Sequence, residues 1–122
     1  MSTIISLALS VVTLAVAPSA NAGSLPLRPG VYVDASSVCR GAPASAMTWF
    51  GGGFVIQAPH ARCVLASVSH PRPDTYRVVK TCYENGDPKL SFRLIDRIKV
   101  ISPTEYQLKN RFGRFAARWC HG

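Results

Sequence analysis

The sequence predicts an all-β domain, a small antiparallel barrel or sandwich stapled by two disulfides, behind an N-terminal signal peptide. Three observations predict it. Alternating apolar and polar runs recur about every 8–12 residues between turn clusters, the spacing of strands joined by tight turns. No window after the leader keeps a 3.6-residue period beyond about two turns. Four cysteines form an even set in a chain that opens on an uncharged apolar leader, which is the usage of an exported protein.

The chain has 122 residues, room for one domain. Residues 1–22 (MSTIISLALSVVTLAVAPSANA) carry no side-chain charge. Residues 4–17 have the length of a signal h-region, Pro18 breaks a helix, and Ala20-Asn21-Ala22 is a small-x-small cleavage triplet. The run is shorter than the roughly 20 apolar residues a spanning helix needs. Cleavage after Ala22 is expected. A single β domain over 23–122 would remain, periplasmic or secreted and not membrane-spanning.

Residues 23–30 hold two prolines and two glycines and suit no regular element, so both tails are expected to be disordered. Residues 31–33 are a short strand stopped by Asp34 and two serines, and 40–46 are a loop. Strand character over 47–56 surrounds Gly51-Gly52-Gly53, which suits a hairpin turn because glycine reaches positive φ without steric cost. Residues 57–62 connect, 63–68 are a strand, and 70–74 (HPRPD) turn. Residues 75–83 form the next strand, with Tyr76, Val78 and Cys82 on one face and Arg77 among those on the other. Asn85-Gly86-Asp87-Pro88 turns.

Leu90, Phe92, Leu94, Ile98 and Val100 keep period 2 against Ser91, Arg93, Arg97 and Lys99. Asp96 falls on the apolar phase, which predicts a bulge or bend near Ile95-Asp96 and a surface ion pair with a neighbouring arginine. Residues 105–108 are a strand with Tyr106 and Leu108 inward, and 110–113 turn. The last strand, 114–120, sends Phe115, Ala117 and Trp119 inward and Arg114 and Arg118 outward. Whether the core is filled by its own aromatics or leaves a pocket for an apolar ligand is open at this level.

Cys39, Cys63, Cys82 and Cys120 contain no CxxC spacing, so a structural zinc site is the minority reading and disulfides the leading one. Three pairings exist. Sequential pairing, Cys39 with Cys63 and Cys82 with Cys120, suits a meander and is favoured. With all four paired no thiolate is left for catalysis.

Catalytic chemistry has little support. His60, His70 and His121 lie in turns or at the terminus, without metal-site spacing. Asp74 and Asp87 read as turn formers. No serine or cysteine sits in a nucleophile motif, and the glycine triplet lacks the Lys-Ser/Thr of a phosphate loop. The expectation is a non-enzymatic protein without metal or cofactor.

Charge is the informative feature. The chain carries 14 basic and 6 acidic residues, a formal net charge of +8. Residues 89–122 hold 8 basic and 2 acidic side chains, so 8 − 2 = +6 falls in the last third. On the alternation above, Arg93, Arg97, Lys99, Arg114 and Arg118 share an outward basic face. Such a face attracts anions through its summed field, and arginine grips phosphate or carboxylate in a fork. An anionic lipid head group or cell-wall polymer is the expected partner. Nucleic acid is disfavoured because the aromatics fall on the apolar phase rather than among the cations. The alternative is an inhibitor of an envelope or secreted hydrolase, using a loop at 70–74 or 42–46.

The order of marks resembles a group of small exported bacterial proteins of unknown function. Its pattern is carried here by Gly30-Val31-Tyr32, Cys39, Phe50-Gly51-Gly52-Gly53, Cys63, residues 76–82 and Trp119-Cys120. The resemblance implies a disulfide-held periplasmic β domain and no particular activity.

Overall fold

A computed structural model describes residues 24–122 and, in the leader, Thr3 alone. The signal peptide expected over 1–22 and the boundary at Gly23 lie outside these residues. The strands are β1 (Gly30–Asp34), β2 (Met47–Phe50), β3 (Ile56–Gln57), β4 (Ala61–Arg72), β5 (Thr75–Glu84), β6 (Ser91–Ser102), β7 (Glu105–Asn110) and β8 (Gly113–His121). Single 3-10 turns sit at Ala44–Ala46 and Pro88–Leu90. No helix among the described residues is long and apolar enough to cross a membrane.

All eight strands join one antiparallel sheet in the order β3-β2-β1-β8-β7-β6-β5-β4. Strands consecutive in the chain are neighbours in the sheet, except β3 and β4, which stand at its two ends, and β8, the last strand, pairs with β1. The sheet curls until β3 meets β4, giving a nearly closed barrel. One side chain completes the seam. Gln57 Nε2 donates to the Cys63 carbonyl at 2.8 Å, and the Cys63 N–H donates to Gln57 Oε1 at 2.9 Å. The amide thus takes the place of a peptide group and satisfies edge groups that would otherwise be unpaired.

The disulfide pairing corrects the expectation. Cys39 bonds Cys120 and Cys63 bonds Cys82, rather than Cys39 with Cys63 and Cys82 with Cys120. Cys63 and Cys82 lie directly opposite in the β4–β5 hairpin. Cys39, in the loop after β1, reaches Cys120 because β8 is the strand beside β1. Sequential pairing assumed that chain neighbours are sheet neighbours, and barrel closure breaks that rule at the two ends. The closed loops span 81 and 19 residues, worth about 4.5 and about 3 kcal/mol in the chain-entropy account.

Three further expectations change. β4 runs on through His70 and Pro71 to Arg72, leaving only Pro73-Asp74 as the turn. Proline is tolerated there because the register shifts between Ser69 and Arg72 on an edge-like strand. No bulge occurs at Asp96, since β5 and β6 stay in register from Thr75 opposite Lys99 to Tyr83 opposite Ser91. The N-terminal tail is ordered: Leu25 and Leu27 are buried, the Leu25 N–H donates to the Gly53 carbonyl, and the Arg28 N–H donates to the Pro103 carbonyl.

That tail plugs one end of the barrel. Leu25, Leu27, Tyr32, Phe50, Tyr76, Ile98 and Tyr106 form the main core there, with Trp119 packed against it. Gly30 permits the close approach, because a Cβ at its φ of +141° would meet the His121 carbonyl oxygen at 2.3 Å. The opposite end holds only a small cluster, Cys63, Cys82 and Leu94 with Val55, Ala61 and Phe92. Phe115, expected in the core, is 46% exposed at this end. The interior is therefore filled at one end and loosely filled at the other.

Candidate functional site

The sheet register builds the outer site. Arg77 on β5 lies opposite Arg97 on β6, Arg97 opposite Lys109 on β7, and Lys109 opposite Arg114 on β8. Four cations thus form one row across four adjacent strands. At about 4.8 Å per strand the row spans roughly 14 Å. All four are exposed. The one ion pair among the described residues lies elsewhere, between Lys80 and Asp96, so no carboxylate neutralises the row. Like charges directly opposite in a sheet are destabilising, and here three such pairs run end to end.

Of the five expected residues, Arg97 and Arg114 belong to the row. Lys99 stands one position along, opposite Thr75 and Gln107. Together Thr75, Arg97, Lys99, Gln107, Lys109 and Arg114 border a depression of about 550 Å³ on the barrel's outer surface. Arg93 also points outward, but it faces Thr81 and is separated from the row by Ile95.

Arg118 does not join them. It is half-buried opposite Glu105, its Nη2 donates to the Ser37 carbonyl at 2.6 Å, and its Nη1 reaches Cys39 Sγ at 3.5 Å. Its fork is used to hold the loop after β1 beside the Cys39 to Cys120 disulfide. Arg77 and Lys109 were missing from the expected face. The turn Asn110 to Gly113, with two residues between paired ends, sets Lys109 opposite Arg114 and could have been read from the sequence. Arg77 could not, because the long connection from Glu84 to Ser91 leaves the β5 to β6 register undetermined.

A second polar constellation lies inside. Lys80 and Asp96 occupy diagonal inward positions on β5 and β6, with Lys80 opposite Leu94 and Val78 opposite Asp96. They form an ion pair at 5% and 1% exposure. The expected surface pair of Asp96 with a neighbouring arginine is thus replaced by a buried pair with lysine, since unbroken register keeps Asp96 on the inward phase. Lys80 Nζ also donates to the Ile56 carbonyl at 3.2 Å, and Asn110 Nδ2 donates to Asp96 Oδ1 at 3.0 Å. Apart from the Lys80 ammonium, no donor among the described residues reaches Asp96 Oδ2.

Tyr106 lies beside this group, its hydroxyl 2.8 Å from the Thr48 hydroxyl. Burial pushes the Tyr106 pKa up to about 12, with Thr48 opposing and Tyr32 and Asp96 adding to the rise.

The three histidines are exposed. His70 stacks on Tyr76 with ring centroids 4.0 Å apart, and its Nε2 lies 2.9 Å from the Pro73 carbonyl. Among the described residues no three His, Cys, Asp or Glu side chains converge as a metal site would require, and no cysteine is free. Comparison with protein-family models, with curated proteins and with solved structures finds no match.

Proposed function

We propose that this is a non-enzymatic binding protein of the bacterial periplasm or the secreted fraction, and that its basic sheet face holds an anionic envelope component. The observation that carries this reading is the row Arg77, Arg97, Lys109 and Arg114, four unpaired cations placed directly opposite one another. Folding alone would favour alternating charge at these positions. A ligand with several anionic groups in line repays the repulsion, and arginine binds phosphate or carboxylate oxygens two at a time. The length of the row favours a repeating polyanion or a charged head-group surface over a single small anion. Two disulfides accord with an oxidising compartment.

The outward positions also bear on the membrane. Arg77, Arg93, Arg97, Lys99, Lys109 and Arg114 face out while Tyr32, Phe50 and Ile98 face in. This is the reverse of a lipid-embedded barrel, which turns its apolar side outward.

The test is binding to phosphatidylglycerol vesicles and to poly(glycerol phosphate), each across a salt series. Affinity should fall steeply with salt. The combined change Arg77→Gln, Arg97→Gln, Lys109→Gln, Arg114→Gln should abolish it, while Arg93→Gln should cost little. Salt-insensitive binding, or equal loss from Arg93→Gln alone, would refute the assignment to this row.

A further inference from the structure

We infer that the open end of the barrel is a binding site for a small uncharged molecule with an apolar body and an acceptor oxygen at one end. A cavity of about 340 Å³ enters the barrel there, between the turn before Met47, the segment ahead of β4 and the β7–β8 hairpin. Its size is at the low end of small-molecule sites. It exists because the N-terminal plug fills only the other end.

The cavity wall has two zones. Around the mouth stand Met47, Phe92, Phe112 and Phe115. Phe112 is 63% exposed and packs edge-on against Phe92 at 6.3 Å, with the Arg111 guanidinium 4.9 Å from its ring. Exposing large aromatics is unfavourable unless an apolar partner covers them. Deeper in stand buried Lys80 and Asp96, with half-buried Asn110 and Thr48 on the same wall.

Counting donors gives the chemistry of the occupant. The Lys80 ammonium has three N–H groups. One goes to the Ile56 carbonyl and one faces Asp96, leaving the third without an acceptor among the described residues. The Asn110 amide has two N–H groups, of which one goes to Asp96 Oδ1. The wall therefore offers a spare buried donor on Lys80 and a second on half-buried Asn110, which an acceptor oxygen satisfies. Lys80 and Asp96 already cancel, and Asp34, a further carboxylate on the wall, accepts from the Ser36 N–H and hydroxyl, so a carboxylate head would add a buried charge with no cation left to balance it. A ketone, ester, amide or alcohol fits. The site lies inside the barrel and does not depend on the outer row.

The test uses the mature disulfide-bonded chain and the uncharged ketone fluorophore Prodan. One Prodan should bind per chain with blue-shifted emission, decanone should displace it, and decanoate should not. Ala117→Phe and Ala61→Phe narrow the cavity from two sides. Either variant that keeps a cooperative melt should bind at least about tenfold more weakly. In the unsubstituted protein, decanone should shift the amide resonances of Leu94, Asp96 and Asn110. The inference is overturned if Prodan and decanone do not bind, if decanoate competes better than decanone, if both folded variants bind normally, or if the shifts map to Arg97 and Gln107 outside.

Discussion

Removing charge from the outer row should make the protein more stable. At a charge separation of about 7 Å, each opposed pair costs about 0.6 kcal/mol in unscreened water. Screening at about 0.1 M salt roughly halves this, and at about 1 M removes most of it. Arg97 and Lys109 each have two like-charged neighbours, whereas Arg77 and Arg114 each have one. The double change Arg97→Gln, Lys109→Gln breaks all three contacts and should add about 1 kcal/mol at 0.1 M salt. For a domain of this size that raises Tm by about 4–8 °C. Single changes should rank Arg97 and Lys109 above Arg77 and Arg114, with Arg93→Gln, opposite Thr81, near zero. Thermal melts in low, intermediate and molar salt read all of this. A double variant less stable than the parent, or a gain that persists at molar salt, would refute the claim that the row strains the fold.

Inside the barrel, Lys80→Met should destabilise by about 3–5 kcal/mol in denaturant unfolding, because it strands Asp96 uncompensated. Pairing it with Asp96→Leu should recover most of that loss; an additive double variant would show that the two do not act as a pair. Tyr106 gives a pH test: its pKa is raised to about 12 in the fold, against about 10 unfolded. The unfolded chain loses that proton first, so the contribution is fully present below pH about 10 and is lost as pH rises towards 12, by about 2–3 kcal/mol. Tyr106→Phe should remove that part of the alkaline slope in melts at increasing pH. Gln57→Ala should open the β3 to β4 seam, costing about 1–3 kcal/mol and speeding amide exchange at Cys63; unchanged exchange there would show that backbone packing alone closes the barrel.

Much of the strand pattern was legible in the residues. Period-2 alternation over β5 to β7 showed most of the side chains that face in, and local turn chemistry at Asn85-Gly86 and Asn110 to Gly113 placed the hairpins. Half of the basic site was legible for the same reason: Arg97 and Arg114 follow from phase within their own strands. Phase does not say which residue lies opposite which, so Arg77 is not placed by it, whereas Lys109 needs the Asn110 to Gly113 turn as well. It also does not say what else a side chain reaches, so Arg118 was assigned to the face although Ser37 holds its guanidinium.

The sequence by itself determined the all-β class, the alternation that turns most of β5 to β7 inward or outward, and a cysteine set able to pair completely. These are local properties, set by alternation, turn residues and composition over a few positions. The tertiary structure decided which cysteines meet, that Asp96 is buried against Lys80, that the tail from Leu25 fills one end, and that the other end stays open. The Cys39 to Cys120 bond needs β8 beside β1, the filled and open ends need the sheet to curl, and the Cys63 to Cys82 bond and the Lys80 to Asp96 pair need the registers of β4 to β6. Register and closure are settled by competition among many packings rather than by any short run of residues.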